Sequence, residues 1–116
     1  MPIPLPQRGE IWWIELEPVR GHEQGGTRPG LVISNDIFNS SPAELVVIVP
    51  VTSKAKPIRS FLQIHPPEAG LRQTSYIICD QVRTISRSRL TKVNGRVSES
   101  TLKEVERRLK ILMDLS

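Results

Sequence analysis

The chain has 116 residues and a mass of 13.1 kDa, with 38% hydrophobic and 24% charged residues. This length suits one domain, and the mixed composition excludes collagen, coiled-coil and disordered classes. The longest apolar stretch, residues 45–51, is far shorter than the about 20 residues of a membrane span, and no secretory leader is expected at the start. A single cysteine, Cys79, favours a reducing compartment and is expected to be a buried apolar side chain.

The net charge of +4 is unevenly distributed along the chain. Residues 1–50 contain three basic and six acidic side chains, residues 51–98 contain nine basic and two acidic ones, and residues 99–116 contain four of each. The middle segment therefore has a balance of +7, nine minus two, which is typical of a surface that binds a polyanion. A solvated surface whose charges are neighbours only in sequence is the alternative.

The first half of the chain combines an extended arm with short strands. Prolines at positions 2, 4 and 6 predict an extended arm over residues 1–7, followed by a single domain over residues 8–116. Strands are predicted over residues 10–16, 31–33 and 45–51, and the last should be buried on both faces because it is apolar throughout. Four glycines predict a flexible, charged loop over residues 20–30, and a second loop is predicted over residues 37–43.

The second half is predicted to alternate strands and turns. Strands are expected over residues 60–65 and 75–79, an extended segment over residues 82–85, and a short strand over residues 89–93. A tight turn at Asn94–Gly95 is predicted to end that last strand, since this pair favours positive φ.

The C-terminal segment has helical spacing of its apolar residues. Either Ser98 or Ser100 can cap its start, with charged side chains between the apolar ones. The residues predicted to face the core are Leu102, Val105, Leu109 and Leu112. Five to seven short strands with one terminal helix predict a mostly β fold, a small, strongly bent β-barrel with the helix packed on it.

Few side chains stand in a pattern typical of a metal or cofactor site. The chain has no zinc-ligand spacing, no phosphate-binding glycine loop and no nucleophile elbow, and His22 and His65 lie in different elements. Any catalysis is therefore expected to need neither metal nor cofactor. Trp12 and Trp13 are adjacent in a strand and should face opposite ways, one into the core and the other toward an interface or groove.

Two positions have side chains suited to a phosphate group. Pro29 restricts the backbone of Arg28, which would hold a guanidinium in a defined place. Thr52 and Ser53 end the most buried strand and precede a basic loop, and hydroxyls beside lysines can hold a phosphate oxygen. A loop salt bridge for Arg28 and a hydroxyl that only satisfies backbone groups for Thr52 remain the alternatives.

Five blocks of sequence occur in a specific order and spacing. The blocks are Arg8–Trp13, Gly21–Pro29, Leu31–Asp36, Val49–Lys54, and Asp80–Ile85 with Arg89–Leu90. Each block is weak alone, but together they resemble the MazF/PemK family of toxin endoribonucleases, from Arg8 to about Leu115.

That resemblance implies a fold, an activity and partners. The implied fold is a small SH3-like (CcdB/PemK-type) β-barrel with a C-terminal helix, working as a homodimer. The implied activity is metal-independent cleavage of single-stranded RNA, such as mRNA, at a short preferred sequence in the cytoplasm. Its products would have 2′,3′-cyclic phosphate and 5′-hydroxyl ends. The implied partner is a cognate antitoxin whose acidic, disordered tail covers the RNA groove.

The resemblance also assigns roles to individual residues. It implies Arg28 and Thr52 as catalytic, with Glu23 as the acid of the loop. A guanidinium is a poor base but an excellent bidentate partner for a charged phosphorane, so Arg28 is expected to stabilise charge, with proton transfer as a further hypothesis. Thr52 would donate to a non-bridging oxygen, whereas Glu23 could accept the 2′-hydroxyl proton or only orient Arg28. The expected RNA-binding residues are Gln24, Thr27, Ser53, Lys54, Lys56 and Gln81.

Two other functions remain open at this point. A CcdB-like toxin with the same barrel would poison DNA gyrase through the end of its C-terminal helix, without cutting RNA. A non-catalytic nucleic-acid-binding barrel is the other alternative. The pair of Arg28 and Thr52 favours the endoribonuclease, because a toxin that only binds its target does not need both.

Overall fold

The computed structural model describes residues 4–15, 26–56 and 61–116. Within these ranges the chain forms seven strands, two α-helices and two short 3-10 turns. The strands are β1 (Glu10–Glu15), β2 (Thr27–Val32), β3 (Leu45–Thr52), β4 (Phe61–Ile64), β5 (Ser75–Ile78), β6 (Arg83–Ser86) and β7 (Leu90–Arg96). The helices are α1 (Asp36–Asn39) and α2 (Glu99–Leu112), and the 3-10 turns are Glu68–Gly70 and Arg87–Arg89.

All seven strands belong to one antiparallel sheet. Six of them follow the order β4-β5-β3-β2-β1-β7, and β6 pairs with β3. Strand β3 has eight residues and pairs with β2 along one edge. Along its other edge it pairs with two strands, with β6 through Leu45–Ile48 and with β5 through its last two residues. The predicted mostly β fold with a C-terminal helix is confirmed. Among the described residues no pairing joins β7 to β4 or β6, so the sheet is open at these strands.

Both faces of the central strands are buried. Successive side chains of a strand point to opposite faces, and accordingly Ile11 and Trp12 belong to two different core clusters. The Ile11 cluster includes Val105 of α2, and the Trp12 cluster includes Ile85 of β6. Strand β3 contributes to both clusters, which confirms that it is buried on both faces.

Helix α2 begins where the sequence predicted. Ser98 is its N-cap and accepts a hydrogen bond from the backbone N–H of Thr101. Val105 is fully buried, and Leu102 and Leu109 pack half-buried against the core. The prediction for Leu112 was wrong: this residue is 53% exposed, because the last turn of the helix, from Lys110 onward, is exposed to solvent.

Two loops are shorter than predicted. Residues 36–39 form helix α1, because the side chain of Asn35 accepts a hydrogen bond from the N–H of Phe38 at 2.8 Å and caps the turn. Strand β2 already begins at Thr27, so Arg28 lies in a strand and not in the flexible loop predicted to reach residue 30. The remainder of that predicted loop, residues 20–25, lies outside the described residues.

Asn94 and Gly95 lie inside β7 and do not form the predicted tight turn. Gly95 pairs with Ile11 next to an irregularity in the ladder. A Cβ atom at Gly95 would lie 2.3 Å from the backbone of Ala69, so only glycine allows the 68–70 turn to approach the strand this closely. Tertiary packing overrides the local turn signal here.

The described part of the N-terminal arm, residues 4–7, has no regular secondary structure and buries Pro6. The guanidinium of Arg96 donates to the side-chain oxygen of Gln7 at 2.6 Å and to the carbonyl of Arg8 at 2.9 Å, which joins the arm to β7. In the described ranges, no helix has both the length and the apolar character that crossing a membrane requires.

A basic cleft as the candidate functional site

A cleft of about 830 Å³ lies where β2 begins and β3 ends. Three parts of the chain line it. The strand ends contribute Thr27, Arg28, Pro29, Val51, Thr52, Ser53 and Lys54; the 68–75 segment contributes Gly70, Leu71, Arg72, Gln73 and Ser75; and the outer strands contribute Trp13, Lys92 and Asn94. Because the 68–75 segment starts against β7 and ends where β5 pairs with β3, it spans the width of the sheet at this end.

Arg28 and Thr52 lie in adjacent strands at the cleft. Strands β2 and β3 pair Gly30 with Pro50 and Leu31 with Val49. Arg28 and Thr52 each lie two residues beyond the last paired position of this ladder, Gly30 with Pro50, and both line the cleft. The two residues that sequence analysis singled out are therefore brought to one place by the sheet.

The side chain of Arg28 is exposed at the start of β2. Its strand position is fixed by pairing with Ile14 of β1. None of the residues in the described ranges forms a hydrogen bond or an ion pair with its guanidinium. In this part of the chain the alternative of a structural loop salt bridge is therefore not observed, and the five N–H donors of the guanidinium face solvent in the cleft.

Thr52 is half-buried at the end of β3. Its hydroxyl oxygen accepts a hydrogen bond from the backbone N–H of Lys54 at 3.1 Å. This contact corresponds to the alternative considered from sequence, in which the Thr52 hydroxyl bonds to a backbone group. A hydroxyl that accepts one hydrogen bond still has its own proton to donate, so the contact orients the side chain and leaves it able to bind an oxyanion.

Four cations line the cleft, and the described residues that line it include no carboxylate. The cations are Arg28, Lys54, Arg72 and Lys92. The charged group of none of the four forms a hydrogen bond or an ion pair with another residue of the described ranges. Three of the nine basic residues of segment 51–98 thus lie in the cleft together with Arg28, and this local charge favours a polyanionic ligand.

Trp13 is the tryptophan that faces the cleft, whereas Asn94 was not predicted from sequence to contribute to the site. The indole N–H of Trp13 donates to Oδ1 of Asn94 at 3.1 Å, and Nδ2 of Asn94 donates to the carbonyl of Ala69 at 2.8 Å. Trp12 is 1% exposed while Trp13 lines the cleft, so the two tryptophans do face opposite ways. The alternation of a strand is the only sequence signal that pointed to Trp13.

Two of the remaining predicted site residues, Lys56 and Gln81, are not brought to the cleft. Lys56 is exposed but does not line it. Gln81 follows the end of β5, whereas Thr52 pairs with Tyr76 near the beginning of that strand, so Gln81 lies away from the cleft at the other end of the strand. Glu23 and Gln24, like His22, lie outside the described residues.

Two other expectations concern thiol and metal chemistry. Cys79 is buried as predicted, and burial raises the pKa of its thiol, partly offset by the charge of Arg108. In residues 4–15, 26–56 and 61–116, no three His, Cys, Asp or Glu side chains come together in a way that could hold a metal ion.

Comparisons with known proteins agree with the site. A family model described as PemK-like, MazF-like toxin of type II toxin–antitoxin system matches residues 7–113. The chain is 40% identical to endoribonuclease PemK of Escherichia coli, with 92% of this chain and 81% of that protein covered. It is 35% identical to endoribonuclease MazF9 of Mycobacterium tuberculosis, with 94% of this chain and 97% of that protein covered.

A solved structure has the same fold. The MazE–MazF crystal structure (Form-II) from Deinococcus radiodurans contains a chain that superposes with a TM-score of 0.83 at 31% sequence identity. The match covers 98% of this chain and 100% of that one. The sequence resemblance, the fold and the cleft thus agree, and the chain belongs to the PemK-like, MazF-like toxins of type II toxin–antitoxin systems.

Proposed function

We propose that the chain is a toxin endoribonuclease that cleaves single-stranded RNA, such as mRNA, at a short preferred sequence and without a metal ion. The observation that carries the proposal is the juxtaposition of Arg28 with Thr52 in a cleft whose described lining has four cations and no carboxylate. The names of the two curated relatives, both endoribonucleases, support it.

The proposed reaction is a transesterification within the RNA. The 2′-oxygen attacks the neighbouring phosphorus, and the bond from phosphorus to the 5′-oxygen breaks. The proton of the 2′-hydroxyl is taken up by a base, and a proton is delivered to the 5′-oxygen. The products are a 2′,3′-cyclic phosphate and a 5′-hydroxyl end, so atoms and charge balance without another reactant.

Arg28 and Thr52 would stabilise the phosphorane formed on the way. The phosphorane has an extra negative charge, and a guanidinium can donate two parallel N–H groups to it. The hydroxyl of Thr52, held by the N–H of Lys54, would donate to a non-bridging oxygen. Since a guanidinium stays charged, Arg28 is the poorer choice of base, and Glu23 is proposed either as that base or as a group that orients Arg28.

Binding of the RNA strand would involve further side chains. Thr27, Ser53 and Lys54 line the cleft and are proposed to contact the strand next to the scissile phosphate. Contacts by Gln24, Lys56 and Gln81 stay part of the proposal, with Lys56 and Gln81 acting outside the cleft described above. Contacts to phosphates strengthen binding but do not select a sequence.

The assembly is proposed to be a homodimer of SH3-like barrels, in the cytoplasm, inhibited by an antitoxin with an acidic tail. The Deinococcus radiodurans neighbour is a MazE–MazF complex. An acidic tail would complement the charge of the cleft. The last turn of α2 and the residues after it expose Ile111, Met113 and Leu115, each more than half exposed, and apolar surface of this kind is typical of an interface.

An RNA cleavage assay tests the proposal directly. Purified protein is incubated with mixed-sequence RNA in EDTA, and the fragment ends are identified chemically. We expect discrete fragments with cyclic phosphates from the wild type and from Arg107→Ala, a matched control on α2, but not from Arg28→Ala. Intact RNA together with inhibited gyrase would instead support a CcdB-like toxin. RNA that is retarded in a gel but uncut would support a non-catalytic binding module.

A further inference from the structure

Two of the four cleft cations, Arg72 and Lys92, stand apart from the proposed catalytic pair. Arg72 belongs to the 68–75 segment and Lys92 to β7, whereas Arg28 and Thr52 occupy the ends of β2 and β3. Strand β1 separates β7 from β2 in the sheet. Arg72 and Lys92 therefore add positive charge to the cleft from two further elements, and Lys92 lies two strands away from Arg28.

The position of Lys92 is fixed by the sheet. Lys92 pairs with Trp13 of β1, and Trp13 pairs with Pro29 of β2. These three residues form a row across the sheet and all line the cleft. The ring of Trp13 consequently lies between Lys92 and the strand that contains Arg28.

The position of Arg72 depends on how the 68–75 segment is held. At β7, Asn94 donates to the carbonyl of Ala69, and Gly95 packs directly against the Ala69 backbone. At α2, the carboxylate of Glu68 accepts hydrogen bonds from the N–H of Ser98 at 3.0 Å and from the hydroxyl of Thr101 at 2.5 Å. The start of the segment is thus attached to two elements, which limits where Arg72 can go.

Asn94 connects these two features of the cleft. Its Oδ1 accepts from the indole of Trp13, and its Nδ2 donates to Ala69. One amide group therefore sets both the orientation of the Trp13 ring and the distance of the 68–75 segment from it. Within the described chain, neither Arg72 nor Lys92 has a hydrogen-bonding or ionic partner that would explain its charge structurally.

We propose that Arg72 and Lys92 form a second phosphate-binding pair, which holds an RNA phosphate other than the scissile one, and that Asn94 is the positioning residue for this pair. The proposal rests on the proposed function, since it takes the cleft ligand to be single-stranded RNA. A cleft of about 830 Å³ is near the upper end of the roughly 300–1,000 Å³ range of ligand pockets, which leaves room for more than one phosphate group.

Binding of an uncleavable strand tests the phosphate pair. The probe is a fluorescent 2′-O-methyl RNA of random sequence, whose attacking hydroxyl is blocked, and its Kd is measured by anisotropy over a range of salt concentrations. For single strands the slope of log affinity against log salt is about 0.7 for each phosphate neutralised. We expect Arg72→Ala and Lys92→Ala each to weaken binding and to reduce this slope by roughly that amount.

The control for general electrostatics is the double variant Lys103→Ala/Arg107→Ala on α2. It also removes two positive charges, but from exposed positions outside the cleft, and it should keep the wild-type salt slope. The phosphate pair is excluded if Arg72→Ala/Lys92→Ala has the same slope and Kd as this control.

A double-mutant cycle tests the positioning role of Asn94. We expect Asn94→Ala to lower the salt slope at a temperature where melting curves show it fully folded, and we expect little further loss when Arg72→Ala is added. A merely structural role would lower the melting temperature with an unchanged slope, or give additive losses. The cleavage assay is separate: RNA cutting with unchanged slopes would refute only the phosphate pair, whereas reduced slopes without any cutting would refute only the proposed function.

Discussion

Two regions of the molecule contain similar numbers of basic side chains and treat them differently. On α2, Glu104 accepts hydrogen bonds from Arg107 at 2.8 and 2.9 Å and from Arg108 at 2.7 Å, and Glu106 pairs with Arg8. In the cleft, no described lining residue is acidic. The helix thus neutralises its charge internally, whereas the cleft leaves four cations close together.

The difference indicates that the cleft lowers the stability of the fold in favour of binding a ligand. On α2 the partners are three and four residues apart and meet on one face of the helix, so pairing follows from local spacing. In the cleft, like charges from β2, β7, the 68–75 segment and Lys54 beyond the end of β3 repel each other, which opposes folding. Such an arrangement is typical of a binding site, where function takes precedence over stability.

The largest effect is expected from Arg28. Replacing Arg28 by alanine should lower the cleavage rate by about 10³-fold, because the phosphorane loses its bidentate donor. Arg28→Lys keeps the charge without the paired N–H groups and should recover only part of the rate. Single-turnover cleavage of a fixed RNA measures both. Wild-type rates for Arg28→Ala would show that the cleft cations bind without catalysing.

A smaller loss of rate is expected from Thr52. Thr52→Val keeps the shape of the side chain but removes the donor to the phosphorane and the acceptor of the Lys54 N–H, and it should slow cleavage by about 10²-fold. Thr52→Ser retains the hydroxyl and should stay close to the wild type. If Thr52→Val and Thr52→Ser cleave equally fast in the same assay, the hydroxyl has no catalytic role.

The close approach of β7 to the 68–70 turn should appear in stability. A methyl group at Gly95 would overlap the backbone of Ala69 at 2.3 Å, so Gly95→Ala should lower the free energy of unfolding by about 1–3 kcal/mol. Urea denaturation measures this change. The matched control is Ser100→Ala on the exposed face of α2. Gly26→Ala is a less suitable comparison, because Gly26 has a positive φ. An unchanged midpoint for Gly95→Ala would mean that this contact does not hold the 68–75 segment.

The smallest effect concerns the neutralised charges of α2 and depends on pH. Hydrogen bonds from Arg107 and Arg108 lower the pKa of Glu104 from 4.5 to about 2. A lowered pKa means that the stabilisation is fully present above about pH 4.5 and is lost as the pH falls toward 2. The stability difference between the wild type and Glu104→Gln should therefore be constant near neutral pH and disappear in acid. A difference that grows on acidification would contradict this account of the ion pairs.

The positions of most strands along the chain could be anticipated from sequence, because strand periodicity is a local property. The pair of Arg28 and Thr52 was anticipated through the resemblance to the MazF/PemK family. The contribution of Arg72 and Lys92 to the cleft could not be anticipated in this way. Arg72 and Lys92 were counted in the basic segment, but only the pairing of β7 with β1 and the contact of Ala69 with Gly95 bring them to the cleft.

The local sequence pattern also predicted the wrong structure in two places, for physical reasons. Asn94–Gly95 has the composition of a tight turn, yet its glycine serves a close backbone contact and its asparagine bonds to Trp13 and Ala69. A loop is predicted over residues 37–43, whereas the side chain of Asn35 caps a short helix over Asp36–Asn39. In both cases asparagine, a residue typical of turns, occupies another backbone setting: a helix N-cap at Asn35 and a strand at Asn94.

The open edge of the sheet has a consequence for handling the protein. Among the described strands, β7 pairs only with β1, and the 68–70 turn covers its other side at Asn94 and Gly95, so this edge is open before Asn94. Residues 91–93 are exposed there, and Lys92 places a charge at their centre. Charged side chains on an edge strand oppose edge-to-edge aggregation. Neutralising Lys92 should therefore make the isolated protein more prone to aggregate during concentration and storage.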